Sequence, residues 1–272
     1  MPHWKAALLL LVLAVVTSTA CTRQVTPAAA PAQARTLTVL AAASLTAPYT
    51  DLGNSFEAAN PGVTVVFSFA GSQELAQQLA QGAQADVFAS ASQKQMEAAV
   101  TAGRVNASAS RVFARNRLVV IFPNDNPGRL ATLQDLAKAG LKLDLADQSV
   151  PVGQYSLDFL DKAGADPDFG VQFKEAVLRN VVSYETNVKA VVSKVALGEA
   201  DAGIVYLTDL AGAAADNVGS LEIPDALNTI ATYPIAPVAD SQNAELAQAF
   251  IDLVLSVEGQ QVLTGYRFIS LP

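Results

Sequence analysis

Leu37-Thr38-Val39-Leu40 runs directly into Ala41-Ala42-Ala43-Ser44-Leu45-Thr46. The first four residues are apolar or β-branched and read as a buried strand. The next six are small or apolar with a hydroxyl at Ser44, and they read as a junction into a helix that Ser44 would cap. A helix begins with unpaired backbone N–H groups and the positive end of its dipole. Such a junction holds an anion without any charged side chain. It suggests a protein that binds a small oxyanion and does no chemistry on it.

The same alternation continues along the chain. Residues 63–69 are β-branched and aromatic, as in a strand. Residues 72–80 follow with apolar positions at 75, 76, 79 and 80, a helical spacing, and Ser72 stands where a cap would. Residues 86–89 read as a short strand. Ser92 then caps a helix with Met96, Ala99 and Val100 inward and Gly103 at its end. Residues 118–122 form an apolar strand closed by Pro123, and Thr132 caps a helix that Gly140 ends. Strands are expected at 141–146, 180–184 and 202–206, with helices at 154–163, 168–178 and 187–197. Repeated strand-helix units imply an α/β fold of parallel sheets covered by helices. Ligands of such sheets sit beyond the carboxyl ends of the strands. Two stretches, 116–122 and 229–238, can carry the chain between halves; the second is extended because proline restricts the residue before it. Leaving near 117 and returning near 231 gives a first lobe of 36–117 plus 231–272 and a second of 118–230, with two crossover strands.

Residues 1–20 carry Lys5, an apolar run at 6–16 and small residues at 17–20, the pattern of a secretory signal. The run of about eleven residues is well short of the roughly 20 that span a membrane. The chain's one His and one Trp, His3 and Trp4, leave with this segment. Cys21, the one cysteine, follows Ser18-Thr19-Ala20, which resembles a bacterial lipobox except that the pattern prefers Leu where Ser18 stands. Lipidation of Cys21 is expected; simple cleavage after Ala20, leaving a free thiol, is the alternative. Export to the periplasm or the outer face of the cytoplasmic membrane follows either way. Residues 21–35 are rich in Ala and Pro and read as a tether. The formal net charge is −8, and losing Lys5 makes it more negative by one. That charge argues against nucleic acid. It also cannot attract an anion from afar, so affinity must come from local dipoles. About 237 residues remain from Thr36 onward, enough for one large core or two lobes.

Several junctions offer donors. Residues 147–153 join a strand to a helix, and Pro151 and Gly153 make a tight loop there that leaves neighbouring backbone N–H groups exposed. Residues 184–189 form another junction, with Thr186 or Asn187 as cap. Tyr206 ends a buried strand, and its hydroxyl needs a partner: a backbone carbonyl is the commoner one, a ligand another. Taken singly, each of these is an ordinary cap or turn. Enzyme motifs are absent, including G-x-S-x-G, S-x-x-K and the glycine-rich phosphate loops. The exported chain has no histidine for a general base and no Cys or His set for a metal. Asp144 and Asp147 are the carboxylate pair to weigh for catalysis, but two acids in such a turn are usually solvated.

Five stretches then form a set: TVLAAASLT (38–46), FSFAGSQELAQQL (67–79), GAQADVFASAS (82–92), VPVGQY (150–155) and GEADAGIVYLTD (198–209). Together they resemble the molybdate-binding proteins of bacterial ABC importers, across nearly all of the exported domain. The resemblance implies a two-lobed periplasmic-binding-protein fold of type II, each lobe a mainly parallel sheet flanked by helices. It implies a tetrahedral dianion, molybdate or tungstate, buried in the cleft. Carried onto this chain, the ligands are the hydroxyl and N–H of Ser44 and of Ser72, the N–H groups of Val152 and Val188, and the hydroxyl of Tyr206. Molybdenum enters only as the oxyanion, with no direct protein–metal bond and no cofactor. The implied partners are the oxyanion and an ABC permease in the cytoplasmic membrane, with the receptor a monomer and the membrane reached through a lipid on Cys21. The family often has Ala where Val152 stands, which matters little for a main-chain contact. Glu74, two residues past Ser72, is expected to point outward. The competing readings are a receptor for sulfate or thiosulfate, an exported hydrolase using a carboxylate pair, and a surface scaffold.

Overall fold

Apart from Met1, the computed structural model describes residues 34–211 and 215–271. The leader, Cys21 and almost all of the tether lie outside the described residues. Arg35, counted above as the tether's last residue, already belongs to a strand.

The first part of the chain alternates β1 (Arg35–Ala42), α1 (Thr46–Ala59), β2 (Val63–Ala70), α2 (Ser72–Ala80), β3 (Val87–Ala89), α3 (Gln93–Thr101) and β4 (Arg111–Asn116). The middle holds β5 (Leu118–Pro123), β6 (Leu143–Ala146), α4 (Pro151–Ala165), α5 (Phe173–Leu178), β7 (Val181–Glu185), α6 (Val188–Ala196), β8 (Ala202–Tyr206) and β9 (Val218–Glu222). The chain closes with β10 (Ala231–Pro237), α7 (Ala244–Leu255) and α8 (Val257–Gly265).

These strands form two five-stranded sheets, ordered β2-β1-β3-β10-β4 and β7-β6-β8-β5-β9. In the first, β1 pairs in parallel with β2 and β3, and only β10 runs against its neighbours. In the second, β6 pairs in parallel with β7 and β8, and only β5 runs against its neighbours. Each sheet thus repeats one strand order, with the reversed strand at or next to a passage between sheets. The chain passes at Arg117, between β4 and β5, and returns across Ile223–Ile230 into β10. With helices flanking each sheet, this is the two-lobed α/β architecture that the alternation predicts.

Register places the site. Ala42 pairs with Ala70, so β1 and β2 end side by side. Residues two beyond each end, Ser44 and Ser72, therefore lie on one rim. β1 is central and packed on both faces, which requires the unbroken apolar run that opens its sequence.

Several expectations change. Ser44 and Ser72 do not cap: Ser44 lies inside a 3-10 turn (Ala43–Leu45), Ser72 is the first residue of α2 after Gly71, and neither hydroxyl bonds its own helix. The helix expected after Thr132 is a 3-10 segment, Leu133–Ala137. The helix expected at 168–178 begins only at Phe173, because Gly170 takes a φ of 80°, a left-handed turn that breaks the run. The helix expected after Ser44 is α1, which starts at Thr46, whereas the strands β4 and β9 and the helices α7 and α8 carry no expectation from the sequence. In α7 the signal is present: Leu246, Ala247, Phe250, Ile251 and Val254 are buried at helical spacing. Phe250 joins Tyr49, Phe56 and Phe67 in an aromatic cluster that ties α7 and α1 to the first sheet.

Candidate functional site

The carboxyl ends of β1 and β2 and those of β6, β7 and β8 converge on one cavity. Ser44 and Ser72 line it from the first sheet; Val152, Val188 and Tyr206 line it from the second. Ala42, Ala43, Ala70, Gly71, Ala91, Val150, Pro151 and Asn187 complete the wall. Among the described residues this wall holds no charged side chain.

Each donor is set by local structure. The Ser72 hydroxyl accepts a hydrogen bond from the Ala91 N–H at 2.9 Å, so its own proton remains to be donated. The Ser44 hydroxyl lies 2.9 Å from that of Tyr233. Val152 is the second residue of α4, behind a proline that needs no N–H partner. Val188 is the first residue of α6, and Asn187 caps that helix by accepting the Ala190 N–H at 3.1 Å. First-turn N–H groups have no partner within their helix. Both valines are buried and line the cavity, and their first-turn N–H groups are the only hydrogen-bond donors they can offer it. Tyr206 is fully buried and its hydroxyl finds no hydrogen-bond partner among the described residues. Burial raises that hydroxyl well above the usual phenol range, so it stays protonated as a donor.

The nearby charges are turned away or neutralised. Glu74 is exposed, and its carboxylate accepts from Gln78 Nε2 at 3.2 Å. Lys189, next to Val188, pairs with the fully buried Asp209 at 2.8 Å. Asp209 also accepts the Tyr206 N–H at 3.1 Å and so steadies the end of β8.

Among the described residues, three hydrogen bonds cross at the cavity rim from one sheet's elements to the other's. Gln73 Nε2 donates to the Thr186 carbonyl (2.9 Å), Gln95 Nε2 to the Ser149 carbonyl (3.2 Å) and the Tyr155 hydroxyl to the Ala91 carbonyl (3.4 Å). Gly71 is packed into this seam: a Cβ there would sit 2.4 Å from the Thr186 carbonyl oxygen. The two sides are in direct contact around the cavity.

The family model for bacterial extracellular solute-binding proteins matches residues 37–268. The chain belongs to this bacterial extracellular solute-binding family. A relative in Mycobacterium tuberculosis (strain H37Rv), the molybdate-binding protein ModA, is 37% identical over 246 residues, 89% of each chain. The periplasmic molybdate-binding protein of Azotobacter vinelandii shares the fold, with a TM-score of 0.74 at 22% identity over 87% of this chain and 99% of that one. So does the sulfate-binding protein SubI of M. tuberculosis H37Rv, with a TM-score of 0.77 at 18% identity over 87% of each chain. Members of one fold thus take different oxyanions, and the residues of the cavity must tell them apart.

The carboxylates weighed for catalysis do not form a pair. Asp144, expected to be solvated, is fully buried on the central strand β6, and neither of its oxygens finds a hydrogen-bond partner among the described residues. Burial pushes it up to about 7; Glu185 adds to the rise and Lys194 opposes it. Asp147 binds the N–H and hydroxyl of Ser149 at 2.8 and 2.6 Å, which holds its carboxyl below the usual range. Neither acid lines the cavity.

Sequence reasoning missed Ala91, Asn116 and Tyr233. In the sequence Tyr233 reads only as part of an extended crossing. The signal that could have flagged it is chemical: a tyrosine on a buried strand needs a hydroxyl partner.

Proposed function

We propose that this chain is an extracytoplasmic receptor for molybdate and tungstate that delivers the dianion to an ABC-type permease. The observation that carries the reading is a cavity walled by uncharged donors from two sheets, with no charged side chain on its wall among the described residues. The molybdate-binding relative at 37% identity supports it, whereas the sulfate-binding neighbour shares the fold alone.

Burying a dianion is costly unless its oxygens are all hydrogen-bonded. Roughly seven donors, two each at Ser44 and Ser72 and one each at Val152, Val188 and Tyr206, at about 1.5–3 kcal/mol apiece give on the order of 10–20 kcal/mol gross. Desolvation and closure take back much of that, leaving room for submicromolar binding at about −8 kcal/mol or better. A wall of donors also selects. Phosphate near neutral pH carries a proton and needs an acceptor. Sulfate carries none, so cavity size must separate it from the larger molybdate.

The lobes 36–117 with 231–272 and 118–230 close on the anion, which favours the closed state by touching both. The permease reads that state. Cys21 carries the lipid that keeps this monomeric receptor at the membrane, and its activity is binding without turnover. Calorimetric titration of the exported domain with molybdate, tungstate and sulfate tests the reading. Submicromolar molybdate binding with sulfate far weaker is expected; tighter sulfate binding would replace it with the sulfate reading. Elemental analysis of protein purified from molybdate-supplemented medium should find molybdenum.

A further inference from the structure

A hydroxyl can donate or accept, and only a donor suits a fully deprotonated anion. Nothing in Ser44 itself makes that choice. Its neighbours do. The Asn116 side-chain oxygen accepts the Arg117 N–H at 2.9 Å, which fixes the orientation of the amide. The Asn116 nitrogen then faces the Thr208 hydroxyl at 2.8 Å and the Tyr233 hydroxyl at 3.2 Å. An amide NH₂ only donates. The Tyr233 oxygen therefore accepts there, which leaves its single proton free for the Ser44 oxygen at 2.9 Å, a contact whose length allows either hydroxyl to donate. With Tyr233 donating, Ser44 accepts, and its own proton is left for the cavity it lines. Tyr233 and Asn116 are both fully buried, so water does not compete for these bonds.

We infer that Tyr233 is a positioning residue whose hydroxyl, oriented by Asn116, locks Ser44 as a donor and so sets the discrimination against protonated oxyanions. The inference rests on the oxyanion reading above. Burial holds the Tyr233 hydroxyl far above the usual phenol range, so the proton it passes to Ser44 is present at any physiological pH. The relay is also rooted at a passage between sheets: Asn116 ends β4, Arg117 is the passage itself, and Ala231 of β10 pairs with Asn116.

Tyr233→Phe keeps the ring, which packs edge-on against Phe113 and Phe268, and removes only the hydroxyl. Ser44 can then rotate and accept a proton from a ligand. The experiment titrates wild type and Tyr233→Phe with molybdate at about pH 6, alone and against excess inorganic phosphate. Molybdate affinity is expected to fall about fivefold or more, and the molybdate-over-phosphate ratio roughly tenfold or more. Asn116→Ala, which frees the tyrosine to turn, is expected to move the ratio the same way by less, and it decides the matter if Tyr233→Phe does not fold. A lower molybdate affinity with the ratio unchanged would mean a merely structural role and overturns the inference, as does no change at all. Failure of the wild type to bind molybdate overturns the underlying reading and this inference with it; binding with unaltered discrimination in the variants overturns this inference alone.

Discussion

Ser44 and Ser72 meet the cavity with hydroxyls whose oxygens are already engaged, by Tyr233 and by the Ala91 N–H. Val152 and Val188 can meet an anion only with main-chain N–H groups, at the starts of α4 and α6, because their side chains carry no donor. The first side of the cleft is thus built from side-chain chemistry and the second mainly from backbone geometry, with Tyr206 the exception. A side-chain donor is lost by one substitution. A backbone donor survives almost any substitution that leaves the helix start in place, and proline is the one residue that removes it.

The largest effect should come from the seam between the two sides. Gly71→Ala places a methyl 2.4 Å from the Thr186 carbonyl oxygen. The Gly71 backbone lies at φ −59° and ψ 136°, which alanine adopts without strain, so the fold should hold. Overpacking costs about 1–3 kcal/mol, and the loss of closure should reduce molybdate affinity roughly a hundredfold with little change in Tm. Unchanged affinity would mean that closure does not depend on this contact. Next, Ser44→Ala and Ser72→Ala should each weaken binding about tenfold or more by calorimetry; no loss would remove that serine from the site.

On the backbone side, Val188→Pro sharpens the contrast. Asn187 is extended, as a residue before proline must be, and Val188 is the first helical position, where proline fits. The helix should form and lose only the N–H, weakening binding about tenfold, while Val188→Ala should cost about threefold or less. Equal losses in the two variants would mean that the valine side chain matters and the amide does not.

The smallest effect on affinity belongs to Asp144→Asn, since Asp144 does not line the cavity. Its signature is in stability. The folded protein holds the Asp144 proton up to about 7, against an ordinary value of 3.8. The native state therefore binds that proton more tightly than the unfolded chain does, and this group's contribution to stability falls as pH rises from 3.8 to about 7. Tm measured at pH values on either side of that window should drop more for wild type than for Asp144→Asn. Parallel curves would show that Asp144 ionises freely in the fold.

Much of this was legible in the chain. β1, β2, α2, α3, β5 and β8 are announced by local periodicity and by small or turn-forming residues at their ends. Gly170 hid the late start of α5, because a single left-handed residue interrupts an otherwise helical pattern. The burial of Asp144 was also hidden: a four-residue strand carries no sign of which sheet will enclose it. For Ser44 and Ser72 the sequence showed hydroxyls at helix starts, and the ordinary capping role it suggested was wrong, because their oxygens are engaged by distant partners.

The sequence by itself determined that small, uncharged donors stand where strands run into helices, and that the exported chain offers no histidine. Those are local properties, written in runs of a few residues. The tertiary structure decided which donors meet. It aligned Ala42 with Ala70, brought Val152 and Val188 opposite them, and set Tyr233 beside Ser44 across 189 positions of chain. Hydrogen-bond direction at Ser44 depends on Asn116 and Tyr233, whose contacts exist only after both passages between the sheets are made. No local pattern encodes a proton's direction, because that is settled by whichever buried oxygen or nitrogen the fold leaves within reach.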